Sequence, residues 1–208
     1  RFTWDADRAG VEGIAYGWFI DDVSLFNVPA NDLSIDKTAF FETVGISYEW
    51  YYGAIPAKQA AADEITFSAV YSNKGSMDQT NTQLDLVVSG QDNQTFSSDV
   101  TNTLLAGETA DTARTTTVYG PDNGVGTYTF TWNVSGDNVD DVPSNNSYSV
   151  DMEVTENEFS MTPLPVSSAN VLGKGGTDEP YTITQGYFFN ADDTITSMGV
   201  ALDQEWTV

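Results

Sequence analysis

Between Thr127 and Val134 polar and apolar residues alternate at every step. Tyr128, Phe130, Trp132 and Val134 point one way, and Thr127, Thr129, Thr131 and Asn133 the other. Ser147–Val154 repeats the pattern, setting Tyr148, Val150, Met152 and Val154 against Ser147, Ser149, Asp151 and Glu153. Successive side chains of a strand project to opposite faces, so this period of two predicts antiparallel sheet with one dry and one wet face. Glu64–Ser72 alternates in the same way, with Ile65, Phe67, Ala69 and Tyr71 opposite Thr66, Ser68 and Val70. Gln83–Ser89 groups Leu84, Leu86 and Val88. Weaker strands are expected near Leu33–Phe41, Thr95–Thr101 and Thr112–Tyr119. Turn-forming clusters lie between them: Ser72–Ser76, Ser89–Asn93, Pro121–Gly124 and Ser135–Asn138. About seven strands within residues 31–155, broken at such intervals, predict an immunoglobulin-like sandwich. Helical periodicity is nearly absent, and Ala57–Ala62 is too short to stand as a helix unaided.

The flanks read differently. Residues 1–29 hold the densest aromatic cluster, Phe2, Trp4, Tyr16, Trp18, Phe19 and Phe26. Within it Ala15–Leu25 reads as a buried strand that Pro29 ends. A piece this short cannot bury a core of its own and must pack on something. Residues 156–208 begin with Pro163 and Pro165, pass a linker-like Gly173-Lys174-Gly175-Gly176, and then offer strand candidates at Tyr181–Phe189 and Thr194–Leu202. This region reads as the opening of a further β module, and both ends read as cuts through a longer polypeptide.

Composition narrows the chemistry. The 208 residues include no histidine, no cysteine, and seven Lys or Arg against thirty-one Asp or Glu, a formal charge of -24. Enzymes working near neutral pH draw most proton-transfer and nucleophilic groups from His, Cys and Lys. The chain is therefore expected to be non-catalytic. Paired carboxylates could serve glycoside hydrolysis, but thirty-one acids guarantee chance pairs. The charge repels phosphate backbones and anionic lipid, so neither nucleic acid nor membrane insertion is expected. No run of eighteen apolar residues occurs. The absence of cysteine removes disulfides and thiolate zinc sites together. The acidity has two readings: solubility in a salty medium, or carboxylates gathered for calcium.

Several short motifs resemble known families. Gly17-Trp18-Phe19-Ile20-Asp21-Asp22-Val23-Ser24-Leu25 resembles the closing strand of MAM-like or choice-of-anchor J jelly-roll modules, found in secreted multidomain proteins of type IX-secreting bacteria. Asn31–Ile35 followed by Phe67–Ser76 resembles a CARDB-type immunoglobulin-like domain, in which a strand ends in a V-x-x-N-x-G turn. Leu104-Leu105-Ala106-Gly107-Glu108 is similar to that family's L-x-x-G-E bend, and Asp140–Tyr148 to its D-x-x-x-x-N-N turn. Tyr187–Phe189 with Asp192–Val200 resembles the start of another jelly-roll. The resemblance implies an all-β chain: an immunoglobulin-like β-sandwich over residues 31–155, flanked by incomplete jelly-roll segments at 1–29 and 156–208. It also implies a secreted or cell-surface location and a structural or adhesive role. Partners would be neighbouring modules of the same polypeptide, other chains by strand addition, or surface glycans.

Candidate sites are few. Asp21-Asp22 is the strongest place for a structural calcium ion, and the resemblance puts the pair on a strand where one can sit. The other reading is that Asp21 bonds to a loop and Asp22 is solvated, and no cofactor is required by either. Asp137–Asp141 lacks the alternation of a calcium loop and reads as a polar hairpin supported by Asn145 and Asn146 through bonds to backbone. Asp192-Asp193 reads as a turn. Trp50, Tyr51 and Tyr52 could stack on a sugar, since consecutive strand residues alternate faces, or could be core plus a cover for a neighbouring module. The sugar-stacking reading would make the chain a carbohydrate-binding accessory of a secreted hydrolase or peptidase. Three glycosylation sequons, at Asn93, Asn133 and Asn145, match by chance in so Asn- and Thr-rich a chain.

Overall fold

A computed structural model describes residues 27–43, 46–48, 52–161, 187 and 189–199, with backbone alone for 36–43 and 46–48. The aromatic segment 1–26 and most of 162–208 lie outside the described residues, and with them the first expected jelly-roll segment and most of the second.

The strands are β1 (Leu33–Thr43), β2 (Ile46–Tyr48), β3 (Ala54–Pro56), β4 (Ile65–Asn73), β5 (Gln79–Gly90), β6 (Gln94–Ser97), β7 (Thr101–Leu104), β8 (Ala113–Arg114), β9 (Gly126–Ser135) and β10 (Ser147–Thr155). One helical turn, α1 (Ala57–Ala60), follows β3, and a 3-10 turn, Pro143–Asn145, precedes β10. The first sheet runs β2-β1-β4-β8 and the second β3-β10-β9-β5-β6, with β7 pairing to β5 beyond that path. Every pairing is antiparallel except β3 on β10. Over the described residues the fold class is the expected one, an all-β, immunoglobulin-like sandwich.

The alternating residues explain the core. Ile65, Phe67, Ala69 and Tyr71 of β4 face Leu84, Leu86 and Val88 of β5 and Tyr128, Phe130 and Trp132 of β9, and all ten are fully buried. Leu33, Ile35, Val134, Met152 and Val154 extend the same layer. Removing a side chain such as Phe130 from water stabilises the fold by about 2–3 kcal/mol, so this layer supplies most of what holds the sheets together. Phe67 lies 5.4 Å from Phe130 and meets Trp132 edge-on at 6.1 Å. The wet face of the second sheet is stitched by cross-strand pairs. Thr129 donates to Asp151 at 2.7 Å and Thr127 to Glu153 at 2.9 Å, each to the residue directly opposite.

Three details depart from the pattern. Tyr148 and Val150 are only partly buried, because the dry layer tapers towards the start of β10. Ser68 and Ser72 are buried although they alternate with the core face of β4; Ser72 bonds to Thr109 at 2.9 Å. Thr112–Tyr119 condenses to the two-residue β8 plus single bridges at Thr115 and Tyr119. Further along, residues 194–199 form no strand, which corrects the described part of the Thr194–Leu202 expectation.

Asn81 stands at φ 51, in the left-handed region that asparagine tolerates. It marks the point where β5 changes partner, from β7 at Gln79–Thr82 to β9 at Gln83–Gly90. Its side chain donates to Asp137 at 2.7 Å, which fixes this point of β5 against the β9–β10 turn.

Candidate functional site

Two clusters of polar and aromatic side chains sit at opposite ends of β10. Its nine residues separate them by about 30 Å at the rise of an extended strand.

At the hairpin pole the β9–β10 turn grips the segment that leads into β1. Asp140 Oδ2 accepts the Leu33 N–H at 2.7 Å and Asn146 Nδ2 at 3.1 Å, while Oδ1 accepts the Val142 N–H at 2.7 Å. Asp141 Oδ2 accepts the Asn31 N–H at 2.9 Å, and the Asp141 N–H returns a bond to the Asn31 carbonyl at 2.8 Å. Asn145 Nδ2 donates to the buried Asp32 at 2.9 Å. These asparagines thus serve carboxylates, where bonds to backbone were expected. Their amide oxygens are buried and accept no hydrogen bond, so each acts as a donor alone.

The same pole explains two of the motifs. Asn73 is fully buried; its Oδ1 accepts the Gly75 N–H, and its Nδ2 donates to the carbonyls of Met77 and Leu104. Gly75 is required because a Cβ there would stand 2.5 Å from the Ala30 carbonyl oxygen. In the bend after β7, Glu108 closes the turn by accepting the Leu105 N–H at 2.7 Å, and Gly107 takes φ +76.

At the helix pole β3 and α1 carry Tyr52, Lys58 and Gln59 beside Phe159, which lies just past β10. Ser160 holds this return in place with two backbone bonds to Ala54, both 2.9 Å. Tyr52 is 9% exposed; its ring stacks on Tyr187 at 6.1 Å and tilts against Phe159 at 5.4 Å. Phe159 meets Phe189 edge-on at 5.2 Å. Gln59 is fully buried beneath residues 190–193. Its Oε1 accepts the N–H groups of Asn190 and Ala191 at 2.8 and 3.0 Å. Its Nε2 donates to the Ala191 carbonyl at 2.8 Å and to Asp193 Oδ2 at 3.1 Å. Lys58 Nζ donates to the Asp192 carbonyl. The Thr194 N–H, then Gln59, then the Lys58 charge hold the Asp193 carboxyl below its ordinary range.

Near this pole burial pushes the Tyr119 phenol far above its ordinary value, helped by its 2.9 Å bond to Asp92 and that residue's charge. Burial likewise raises Tyr128, whose hydroxyl donates to the Gly124 carbonyl. Both phenols stay neutral and act as fixed donors.

Of the residues expected to form sites, Asp21, Asp22, Trp50 and Tyr51 lie outside the described residues. Tyr52 is described, and its ring faces other aromatic rings of the chain. Among the described residues no three acidic side chains are grouped to hold a metal ion. Gln59, Phe159 and Asp32 were not anticipated; a long polar side chain inside the Ala57–Ala62 run was the available signal for Gln59.

No protein-family model matches the chain, and no curated protein does. Among solved structures it is similar to the CARDB domain of a Pyrococcus furiosus protein determined in solution, at 15% identity and a TM-score of 0.40, over 62% of this chain and 99% of that domain. A crystal structure of a CARDB domain from the same organism, in complex with di-metal ions, gives 16% identity and a TM-score of 0.38 over 66% of this chain and 100% of that one. At these values the likeness carries no inference about chemistry, and the fold described above rests on the chain's own strand pairing.

Proposed function

We propose that this chain is a non-catalytic spacer in a larger secreted or cell-surface protein, holding the regions on either side of the sandwich at a set separation. The observation that carries the reading is the pair of gripped ends. The segment before β1 is tied to the β9–β10 turn by Asp140 and Asp141. The segment after β10 is bridged to β3 at the opposite pole. A module that receives its neighbours at opposite ends of a packed, two-sheet body transmits distance and direction. Side chains that could do chemistry are spent on this: both Asp140 oxygens, the Asn73 amide and the Gln59 amide all bind the chain's own backbone. The high negative charge suits a surface exposed to salt, where screening over about 8–10 Å blunts self-repulsion.

Single-molecule pulling through the two ends, paired with retention on insoluble polysaccharide, tests the reading. It expects one cooperative unfolding step for the sandwich and no retention. Retention that disappears in Trp50→Ala would instead make the chain a carbohydrate-binding accessory.

A further inference from the structure

We propose that Gln59 is the key of an intramolecular joint: a side-chain clamp on the sandwich that recognises the main chain of residues 190–193, with Tyr52 and Phe159 as sockets for Tyr187 and Phe189. It rests on the spacer reading only for its purpose, which is to fix the direction in which the C-terminal region leaves the sandwich.

The chemistry of the amide carries the assignment. A primary amide offers two lone pairs and two N–H donors. At Gln59 all four are used, and all four by one segment more than 130 residues away in sequence. Three of the four go to main-chain atoms, so they read the bend of the main chain at 190 and 191 and tolerate any side chain there. The fourth goes to Asp193 and reads that side chain. Two aromatic residues placed two apart, Tyr187 and Phe189, both reach Phe159, at 5.9 and 5.2 Å. Aromatic pairs of this kind add to burial, while the amide sets register. A fully buried Gln is costly unless its hydrogen bonds are complete. Here they are completed only by the docked segment, so the sandwich surface is built around the presence of this piece of its own chain.

Gln59→Glu separates this role from simple packing. The carboxylate keeps the shape and both accepted N–H bonds, but it cannot donate. It would place a negative oxygen against Asp193 and the Ala191 carbonyl. Hydrogen exchange at the Asn190 and Ala191 amides of the full chain is the readout. The unaltered chain is expected to protect both amides at least about tenfold over an unstructured peptide. Gln59→Glu is expected to lose that protection while β9 and β10 keep theirs. Adding Asp193→Asn, whose amide can donate to the new carboxylate, is expected to regain part of it. Ala191→Pro removes one of the two N–H donors from the segment side and should release residues 187–193 without touching a strand, so a folding defect in Gln59→Glu does not end the test. Unprotected amides in the unaltered chain, protection unchanged at both amides in Gln59→Glu or at Asn190 in Ala191→Pro, or protection that rises with protein concentration and so belongs to a second copy, would each overturn the joint. None of these outcomes bears on polysaccharide retention, which tests the spacer reading separately.

Discussion

The two poles of the sandwich hold the chain by opposite means. At the hairpin pole short carboxylates accept main-chain N–H groups. At the helix pole one neutral amide and a group of aromatic rings do the work. The first device fixes the lead into β1 and the second a segment outside the sheets, and their failure modes differ. A carboxylate that bonds three donors cannot be replaced by a side chain lacking oxygen. An aromatic socket tolerates change in shape better than it tolerates charge. A sandwich built this way has one end sensitive to loss of oxygen acceptors and the other sensitive to electrostatics around Asp193.

Breaking the hairpin pole should have the largest effect. Asp140→Ala removes the acceptor for Leu33, Val142 and Asn146 and is expected to cost about 3 kcal/mol, since bonds to a charged partner are the strong ones. The check is a shift of the urea midpoint at unchanged slope, with Asp140→Asn losing less. Gly75→Ala should come next at about 2 kcal/mol, because its Cβ meets backbone that cannot move aside. Local loss of exchange protection at Leu33 would accompany it.

The helix pole should respond to pH. The Asp193 carboxyl is held below its ordinary value, so its contribution is complete above the unfolded value of about 3.9 and disappears as pH falls through the lowered folded value. Residues 187–193 are expected to detach on that acid limb, seen as loss of protection at Asn190 and Ala191, and Asp193→Asn should remove the dependence. The smallest effect is expected from Tyr119→Phe, about 1 kcal/mol for its single bond to Asp92. Its raised phenol gives the opposite sign. The fold favours the neutral form, so that stability is full below about pH 10 and is lost as pH rises through the folded value. Tyr119→Phe should flatten the alkaline limb of a denaturation series.

Legibility in the sequence tracked the range of the interactions. β9 was fully readable because Tyr128, Phe130, Trp132 and Val134 each carry their own signal, and the dry layer takes all four. β3 and β8 were not, since strands of three and two residues contain no period. The Asp140–Asn146 turn was visible as a motif, but its hold on Leu33 spans 107 residues and has no local trace. Gln59 was hidden for the same reason. Its surroundings read as an alanine run, and the segment that completes its hydrogen bonds lies 131 and 132 residues further on. Tyr52 shows the converse: an aromatic run announced a contact surface, and the described contacts of that ring are with the chain's own Tyr187 and Phe159.

The central claim is that neighbours attach at opposite poles of a rigid body. Because the chain has no cysteine, Ala30→Cys and Asn157→Cys create two unique labelling positions beyond the ends of β1 and β10. Their spin–spin distance distribution measures the separation directly. A single narrow peak at about 30 Å or slightly more, the length of β10, is the predicted result. A broad distribution, or a peak well below about 20 Å, would contradict it.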